Sequence, residues 1–202
     1  MIKQRIIEEA SVLFARSGVK STTMDDIARH MGISKRTIYE NFKDKETLLV
    51  ACIGAFYREN RIFSERVFEK SENVIVAVTT LLKKGAEQAQ QQQFVMINDI
   101  RKYYPQVYKE HLVIHHANKY QEMASLIERG ITEGVFRDDL NPEIIAHIFN
   151  KQAEGMTSAE KELDKFSFSE IFENMVINFM RGLCTQKGVE ILNDLMRRIH
   201  NK

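Results

Sequence analysis

Residues 22–42, TTMDDIARHMGISKRTIYENF, constrain the fold more than any other stretch of this chain. Thr22 and Thr23 are both good helix N-caps, and either Thr22 with Asp25 or Thr23 with Asp26 fits a capping box. The apolar residues of this stretch recur at helical spacing: Met24, Ile27, Ala28 and Met31. The pattern predicts a short, capped helix with one buried face.

A second short helix is predicted directly after a turn. Gly32 can end the first helix in the left-handed conformation, which costs glycine little. Ser34 can then cap a helix over Lys35–Asn41, in which Ile38 faces inward. The outward-facing residues of this helix are Lys35, Arg36, Thr37 and Tyr39. Two short helices joined by a tight turn form a helix-turn-helix, whose second helix enters the major groove of DNA.

The wider segment TTMDDIARHMGISKRTIYENFKDKETLL resembles the DNA-binding domain of TetR-type transcriptional repressors. The match covers about residues 6–50, roughly a quarter of the chain. The chain departs from the family pattern at Glu40 and Asn41, where an aromatic residue or histidine is common. Because phosphate repels a carboxylate, we place Glu40 on the outer side of the helix. The matching positions are Thr23, Ile27, Ala28, Gly32, Ile33, Ser34, Thr37, Ile38, Tyr39, Phe42, Lys45 and Leu48.

The resemblance implies a set of residues that contact DNA. Thr22 or Thr23 would contact phosphate together with the first amides of the helix, Tyr39 would lie against the sugar-phosphate backbone, and Lys45 would contact a phosphate. Arginine and lysine suit guanine O6 and N7, and the threonine methyl suits thymine. The alternative is that the basic residues are ordinary solvated charges. The candidate set is Thr22, Thr23, Ser34, Lys35, Arg36, Thr37, Tyr39 and Lys45.

Composition limits the other classes of protein. The chain has 202 residues, of which 44% are hydrophobic, so it can bury a core and is not a disordered protein. Its net charge of +1 argues against a generally basic nucleic-acid coat protein. Cys52 and Cys184 are isolated in apolar surroundings and predict no disulfide framework. Charged residues interrupt the start of the chain, so we expect no signal peptide, no membrane association and a cytoplasmic protein.

The remainder of the chain reads as successive helices, so we predict an all-α fold. A three-helix, helix-turn-helix DNA-binding domain is expected over residues 1–50. A helical-bundle domain for ligand sensing and dimerisation is expected over residues 51–202. The turn VFRDDLNPE, at 135–143, should be a loop in which Pro142 begins the next helix.

A broad apolar stripe marks the last long helix, predicted over 167–184. The TetR resemblance implies that this helix and the preceding one pair with a second copy to form a four-helix homodimer interface. A short recognition helix reads few bases, so a dimer on a palindrome would be needed. The alternative is that the stripe packs inside one subunit. The candidate interface residues are Phe168, Ile171, Phe172, Met175, Phe179, Met180 and Leu183.

The middle of the chain offers candidates for a small-molecule effector site, which the resemblance implies. Aromatic residues and methionines suit an adaptable apolar pocket, although each is more often a core or surface residue. His111 and His115 stand at i, i+4, but no third ligand is evident, so we expect no metal and no cofactor. The candidates are Phe94, Asn98, Arg101, Tyr104, His111, His115, Tyr120, Met123, Phe149 and Asn150.

Two other classes of function fit the sequence less well than a DNA-binding regulator. An enzyme would need a nucleophile motif, a metal set or a glycine-rich phosphate loop, and the sequence has no GxSxG, P-loop, HExxH or GxGxxG. A helical dimeric interaction or ligand-binding protein without a DNA-release function is the remaining alternative, and only Glu40 favours it. The sequence therefore predicts a regulator that binds a palindromic double-stranded DNA operator.

Overall fold

The computed structural model describes residues 1–90, 93–157 and 168–200, with side chains outside 85–95, 113–119, 152–169, 171–173 and 199–200. Over these ranges the chain is helical, as predicted, and the elements follow one another in chain order. They are α1 (Ile2–Ser17), α2 (Met24–Met31), α3 (Lys35–Asn41), α4 (Lys45–Lys70), α5 (Val74–Gln90), α6 (Gln93–Tyr103), α7 (Pro105–Val107), a π-helical turn (Tyr108–Leu112), α8 (Val113–Thr132), α9 (Pro142–Thr157), α10 (Phe168–Leu183) and α11 (Gln186–His200).

The chain forms two compact units, residues 1–63 with 88–116 and residues 64–87 with 117–202. The division therefore falls within α4 rather than at residue 50, and α6 and α7 belong to the first unit. The functional division into residues 1–50 and 51–202 stays a prediction.

The first unit has a core built from the inner faces of α1 to α4 and covered by α6. Phe14 on α1, Ile27 on α2 and Ile38 on α3 are fully buried, which fits the spacing of the apolar residues in these helices. Ile100 on α6 joins the same cluster and is also fully buried. The helix-turn-helix therefore rests on a helix that follows it by about 60 residues in the chain.

The second unit has its own core, which includes part of the predicted loop at 135–143. Val135 and Phe136 are buried among side chains of α5, α8 and α10. Their segment pairs with the start of the α10–α11 connection, because Arg137 N–H donates to the Leu183 carbonyl and Thr185 N–H to that of Val135, both at 3.0 Å. This loop is thus a core element as well as a connection.

Candidate nucleic-acid interface

The start of α2 is fixed by a capping box between Thr23 and Asp26, one of the two pairs that the sequence allows. The Thr23 hydroxyl oxygen accepts from Asp26 N–H at 3.1 Å, and the Asp26 carboxylate accepts from Thr23 N–H at 3.0 Å. The Thr23 hydroxyl and N–H lower the pKa of Asp26, since both donate to its carboxylate. Gly32 ends the helix with φ of 65°, which is why glycine suits this position.

Thr22 differs from the prediction that its side chain would contact DNA. It is 3% exposed, and its hydroxyl donates to the Gly18 carbonyl at 2.8 Å. That bond turns the side chain into the α1–α2 connection. Of the two threonines named as alternatives, only Thr23 has an exposed side chain at the start of α2.

The second helix begins at the predicted cap. The Ser34 oxygen accepts from Thr37 N–H at 3.1 Å, and the two hydroxyls lie 2.8 Å apart. Ile38 is fully buried and anchors α3 to the core, whereas Tyr39 is 45% exposed. The structure therefore presents the aromatic ring on the surface, and it commits the Ser34 and Thr37 hydroxyls to the cap.

The two cations of α3 each hold a carboxylate. Lys35 Nζ lies 2.7 Å from Asp25 Oδ1, and this hydrogen-bonded partner raises the pKa of Lys35. Arg36 Nε donates to Glu40 Oε1 at 2.8 Å, one turn further along the same helix. Glu40 is thus exposed and lies beside Arg36, and its placement on the side of α3 away from DNA stays a prediction. Both pairs are exposed to solvent, so the cations can exchange partners.

Lys45 is half-buried beside the α1–α2 connection, and its contact with a phosphate stays a prediction. Its ammonium donates to the carbonyls of Val19 at 2.8 Å and Thr22 at 3.0 Å, and it lies 5.8 Å from the Tyr104 ring centroid. With the Lys20 carbonyl at 3.5 Å, three carbonyls and one aromatic ring surround the charge. The structure therefore shows that Lys45 holds the α1–α2 connection.

A further contact of the α1–α2 connection, with α6, was not predicted from the sequence. Lys20 N–H donates to Asp99 Oδ2 at 2.9 Å, and Lys20 Nζ donates to the Tyr103 hydroxyl at 3.3 Å. Lys20 and Lys102 lower the pKa of Tyr103, since hydrogen bonds from both favour the phenolate. The i, i+4 spacing of Asp99 and Tyr103 on α6 was the only signal, and nothing in it names a partner 79 residues away.

The effector candidates fall in both units. In the first unit, Arg101 is exposed and donates to Asn98 Oδ1 at 3.1 Å, Tyr104 lies against Lys45, and His111 is half-buried. Phe94 and His115 lie outside the described side chains. Within the second unit, Tyr120 stacks on His147 at 5.5 Å, Asn150 donates to the Ala146 carbonyl at 2.8 Å, Met123 is half-buried and Phe149 is buried.

An open cleft of about 510 Å³ lies in the second unit. Phe68 and Leu126 supply apolar walls, and Arg129 supplies a cation that Glu133 holds at 2.6 Å. The remaining lining residues are Gln121, Glu122 and Ser125. None of these residues was among the effector candidates, although the cleft shares α8 with Tyr120 and Met123.

The interface candidates on α10 whose side chains are described divide into a buried and a half-buried group. Met180 and Leu183 are 2% and 5% exposed and belong to the core of the second unit. This burial differs from the prediction that both residues lie in the dimer interface. Met175 and Phe179 are half-buried, and Phe179 packs on Phe149 at 5.5 Å between ring centroids. The candidates Phe168, Ile171 and Phe172 lie outside the described side chains.

Two neighbouring apolar side chains on α9 are exposed instead. Ile144 and Ile148 are 57% and 41% exposed and stand one helical turn apart. Large aliphatic side chains exposed next to each other on one helix face mark a contact surface more often than isolated ones do.

The described parts of the chain contain neither a cluster of metal ligands nor a helix that could span a membrane. The described side chains include no group of three His, Cys, Asp or Glu residues that could hold a metal ion. None of the helices in the described ranges has both the length and the apolar composition that a bilayer crossing requires.

The comparisons with known proteins agree with this geometry. The family model for bacterial regulatory proteins of the tetR family matches residues 6–52, which span α1 to the start of α4. The uncharacterized HTH-type transcriptional regulator YvaF of Bacillus subtilis is 24% identical over 189 residues, covering 93% of this chain and 98% of that protein. The HTH-type transcriptional repressor KstR2 of Mycolicibacterium smegmatis is 24% identical over 153 residues, covering 71% of each chain.

Similarity of fold extends through the helical body. A protein from Saccharomonospora viridis, solved in complex with choline, superposes with a TM-score of 0.74 over 92% of this chain and 98% of that chain, at 17% identity. The matched domain coincides with the capped helix-turn-helix, and the matched relatives are transcriptional regulators. Residues 6–52 therefore form a DNA-binding domain of the tetR family, and the fold of the described chain is that of transcriptional regulators carrying such a domain.

Proposed function

We propose that this regulator binds a palindromic DNA operator as a homodimer, represses transcription there and leaves the operator when a small molecule binds its helical body. The observation that carries the proposal is the surface of α3, where Lys35, Arg36 and Tyr39 are exposed on a helix capped at Ser34 and anchored by Ile38. Basic and aromatic side chains on such a helix can contact base edges and the sugar-phosphate backbone.

Dimerisation follows from the size of the reading surface. α3 has seven residues, so one copy reads only a few base pairs, and two copies on a palindrome double the footprint. The exposed pair Ile144 and Ile148 on α9 supports an isologous contact between two copies. Met175 and Phe179, half-buried on α10, would border that contact.

Two observations support release by a ligand: a solved structure of similar fold that contains one, and a cleft in the second unit. The S. viridis protein of similar fold holds choline, a small amphipathic cation. The cleft at Phe68, Leu126 and Arg129 combines apolar walls with polar groups. An effector would lower DNA affinity only if it binds the DNA-incompetent conformation more tightly than the competent one.

Operator selection tests the proposal directly. Purified protein would be used to enrich binding sites from random duplexes, and binding to the enriched site would be followed by fluorescence anisotropy. We expect a palindromic site, bound by a dimer. Arg36→Ala with Tyr39→Ala should weaken binding at least about tenfold, since base and backbone contacts are lost in both half-sites.

The matched control is Arg197→Ala, which removes an exposed, paired arginine from α11. This variant should bind the operator as the wild-type protein does. Enrichment of no site would refute the proposed function, and full operator affinity in the Arg36 and Tyr39 double variant would refute the role given to α3.

A further inference from the structure

The helix-turn-helix carries an equal number of acidic and basic side chains. Residues 23–42 contain Asp25, Asp26 and Glu40 against Arg29, Lys35 and Arg36. Each acid of this segment holds one base, at distances between 2.7 and 3.3 Å. The surface that is proposed to face a polyanion therefore carries no net charge with histidine neutral.

Two of these pairs involve the cations of the recognition helix. Arg36 and Glu40 are 88% and 57% exposed, and Lys35 and Asp25 are 58% and 50% exposed. Water reaches all four side chains, so the pairs form and break readily. A phosphate that approaches either cation meets a carboxylate already in place.

The geometry of the Arg36 pair leaves part of the guanidinium open. Glu40 accepts from Nε, whereas the contact of arginine with guanine uses a fork of N–H donors toward O6 and N7. A carboxylate on Nε can hold the guanidinium plane while the terminal nitrogens contact a base. The same carboxylate repels a phosphate, which carries a full negative charge, more strongly than it repels guanine, which is neutral.

We infer that Glu40 and Asp25 are specificity-determining residues, which hold Arg36 and Lys35 for base contacts and penalise contacts with phosphate alone. The inference rests on the proposed operator binding. Hydrogen bonds to the base edges of the correct sequence compensate for the repulsion by the two carboxylates, whereas random DNA offers no such hydrogen bonds. Neutralising Glu40 should therefore strengthen binding to random DNA more than binding to the operator.

The test compares two affinities of the full-length dimer. Binding to the selected operator and to a random duplex of equal length is measured by anisotropy at several salt concentrations, because affinity for phosphate depends on salt. For Glu40→Gln we expect affinity for random DNA to rise about threefold to tenfold and operator affinity to change less than about twofold. Asp25→Asn should act in the same direction.

Asp194→Asn is the matched control, since it neutralises an exposed carboxylate that pairs with an arginine on α11. It should leave both affinities unchanged. A double variant, Arg36→Ala with Glu40→Gln, should show no further rise over Arg36→Ala for random DNA if Glu40 acts through Arg36. Circular dichroism of each variant checks that the helices are retained.

The outcomes distinguish the proposed operator binding from the specificity role inferred for Glu40. If the wild-type protein binds operator and random DNA equally, the proposed function is wrong. If it prefers the operator and Glu40→Gln raises both affinities by the same factor, Glu40 only repels DNA and the inference is overturned. A fall in the operator-to-random ratio of at least about threefold, with relaxed selection at a guanine, supports it.

Discussion

The ammonium of Lys45 donates a hydrogen bond to the carbonyl oxygen of Val19, 26 residues earlier in the chain, at 2.8 Å. A second bond reaches the carbonyl of Thr22 at 3.0 Å. Carbonyls in a connection between helices have no helical partner, so a cation that bonds to two of them fixes the path of the chain. Lys45 thereby fixes the α1–α2 connection up to the residue before the Thr23 cap.

Replacing Lys45 by Met should destabilise the protein, because the stem remains but the charge-assisted hydrogen bonds to the α1–α2 connection are lost. We expect the free energy of unfolding to fall by about 1–3 kcal/mol in urea. Lys43→Met is the control, since this exposed lysine should change stability by less than about 0.5 kcal/mol. If Lys45→Met instead leaves stability intact and lowers the salt dependence of DNA binding, Lys45 is a phosphate contact after all.

The cap of α2 can be tested at a single hydroxyl. Thr23→Ala removes the acceptor for Asp26 N–H, so we expect a loss of about 1 kcal/mol in the free energy of unfolding. Thr23→Ser retains the oxygen and should lose much less. Equal stabilities of the Ala and Ser variants in urea would show that the cap contributes little.

The helix-turn-helix could be predicted because its signals are local. Thr23, Gly32 and Ser34 act within one helical turn, and the apolar spacing identifies Ile27 and Ile38 as buried. Each of these features follows from residues at most four positions apart. The bounds of α3 and α10 were predicted on the same basis, to within one residue.

The contacts of the α1–α2 connection could not be predicted in this way. Lys20 and Asp99 are 79 residues apart, and the sequence of neither shows that α6 covers the domain. The stripe on α10 illustrates a different limit. Helical spacing identifies an apolar face, but the same spacing serves a core or a dimer interface, and Met180 and Leu183 belong to the core.

Gly130 on α8 leaves no room for a side chain. A Cβ at this position would lie 2.1 Å from Cδ2 of Phe136, which is itself buried. Gly130→Ala should therefore lower the free energy of unfolding by roughly 1–3 kcal/mol through overpacking. Gly182→Ala is the matched control, because a Cβ there meets nothing within 4 Å and alanine favours the helix. Thermal melts that rank the two variants in the opposite order would contradict this packing.

The exposed isoleucines of α9 should control the oligomeric state. Ile144→Lys with Ile148→Lys places two charges on the proposed contact surface, so we expect a monomer in sedimentation velocity and weaker operator binding. Val12→Lys changes an equally exposed aliphatic residue on α1, at 57% exposure, and should leave the mass unchanged. A dimer that persists in the double variant would place the interface elsewhere.

Stability should fall at alkaline pH because of a buried thiol in the first unit. Burial raises the pKa of Cys52 from 9.0 to about 11. Below pH 9 the thiol is protonated in both the folded and the unfolded chain. Between pH 9 and 11 only the unfolded chain releases the proton, so rising pH favours unfolding, by roughly 2–3 kcal/mol in all.

Tyr57 and Cys184, whose pKa values burial raises to about 12 and about 11, titrate over an overlapping range. The contribution of Cys52 is therefore isolated as the difference between the wild-type protein and Cys52→Ala in urea unfolding at each pH. The variant should be less stable at pH 7, because the substitution leaves a cavity. That deficit should shrink between pH 9 and 11, whereas a constant deficit would show that Cys52 ionises equally in both states.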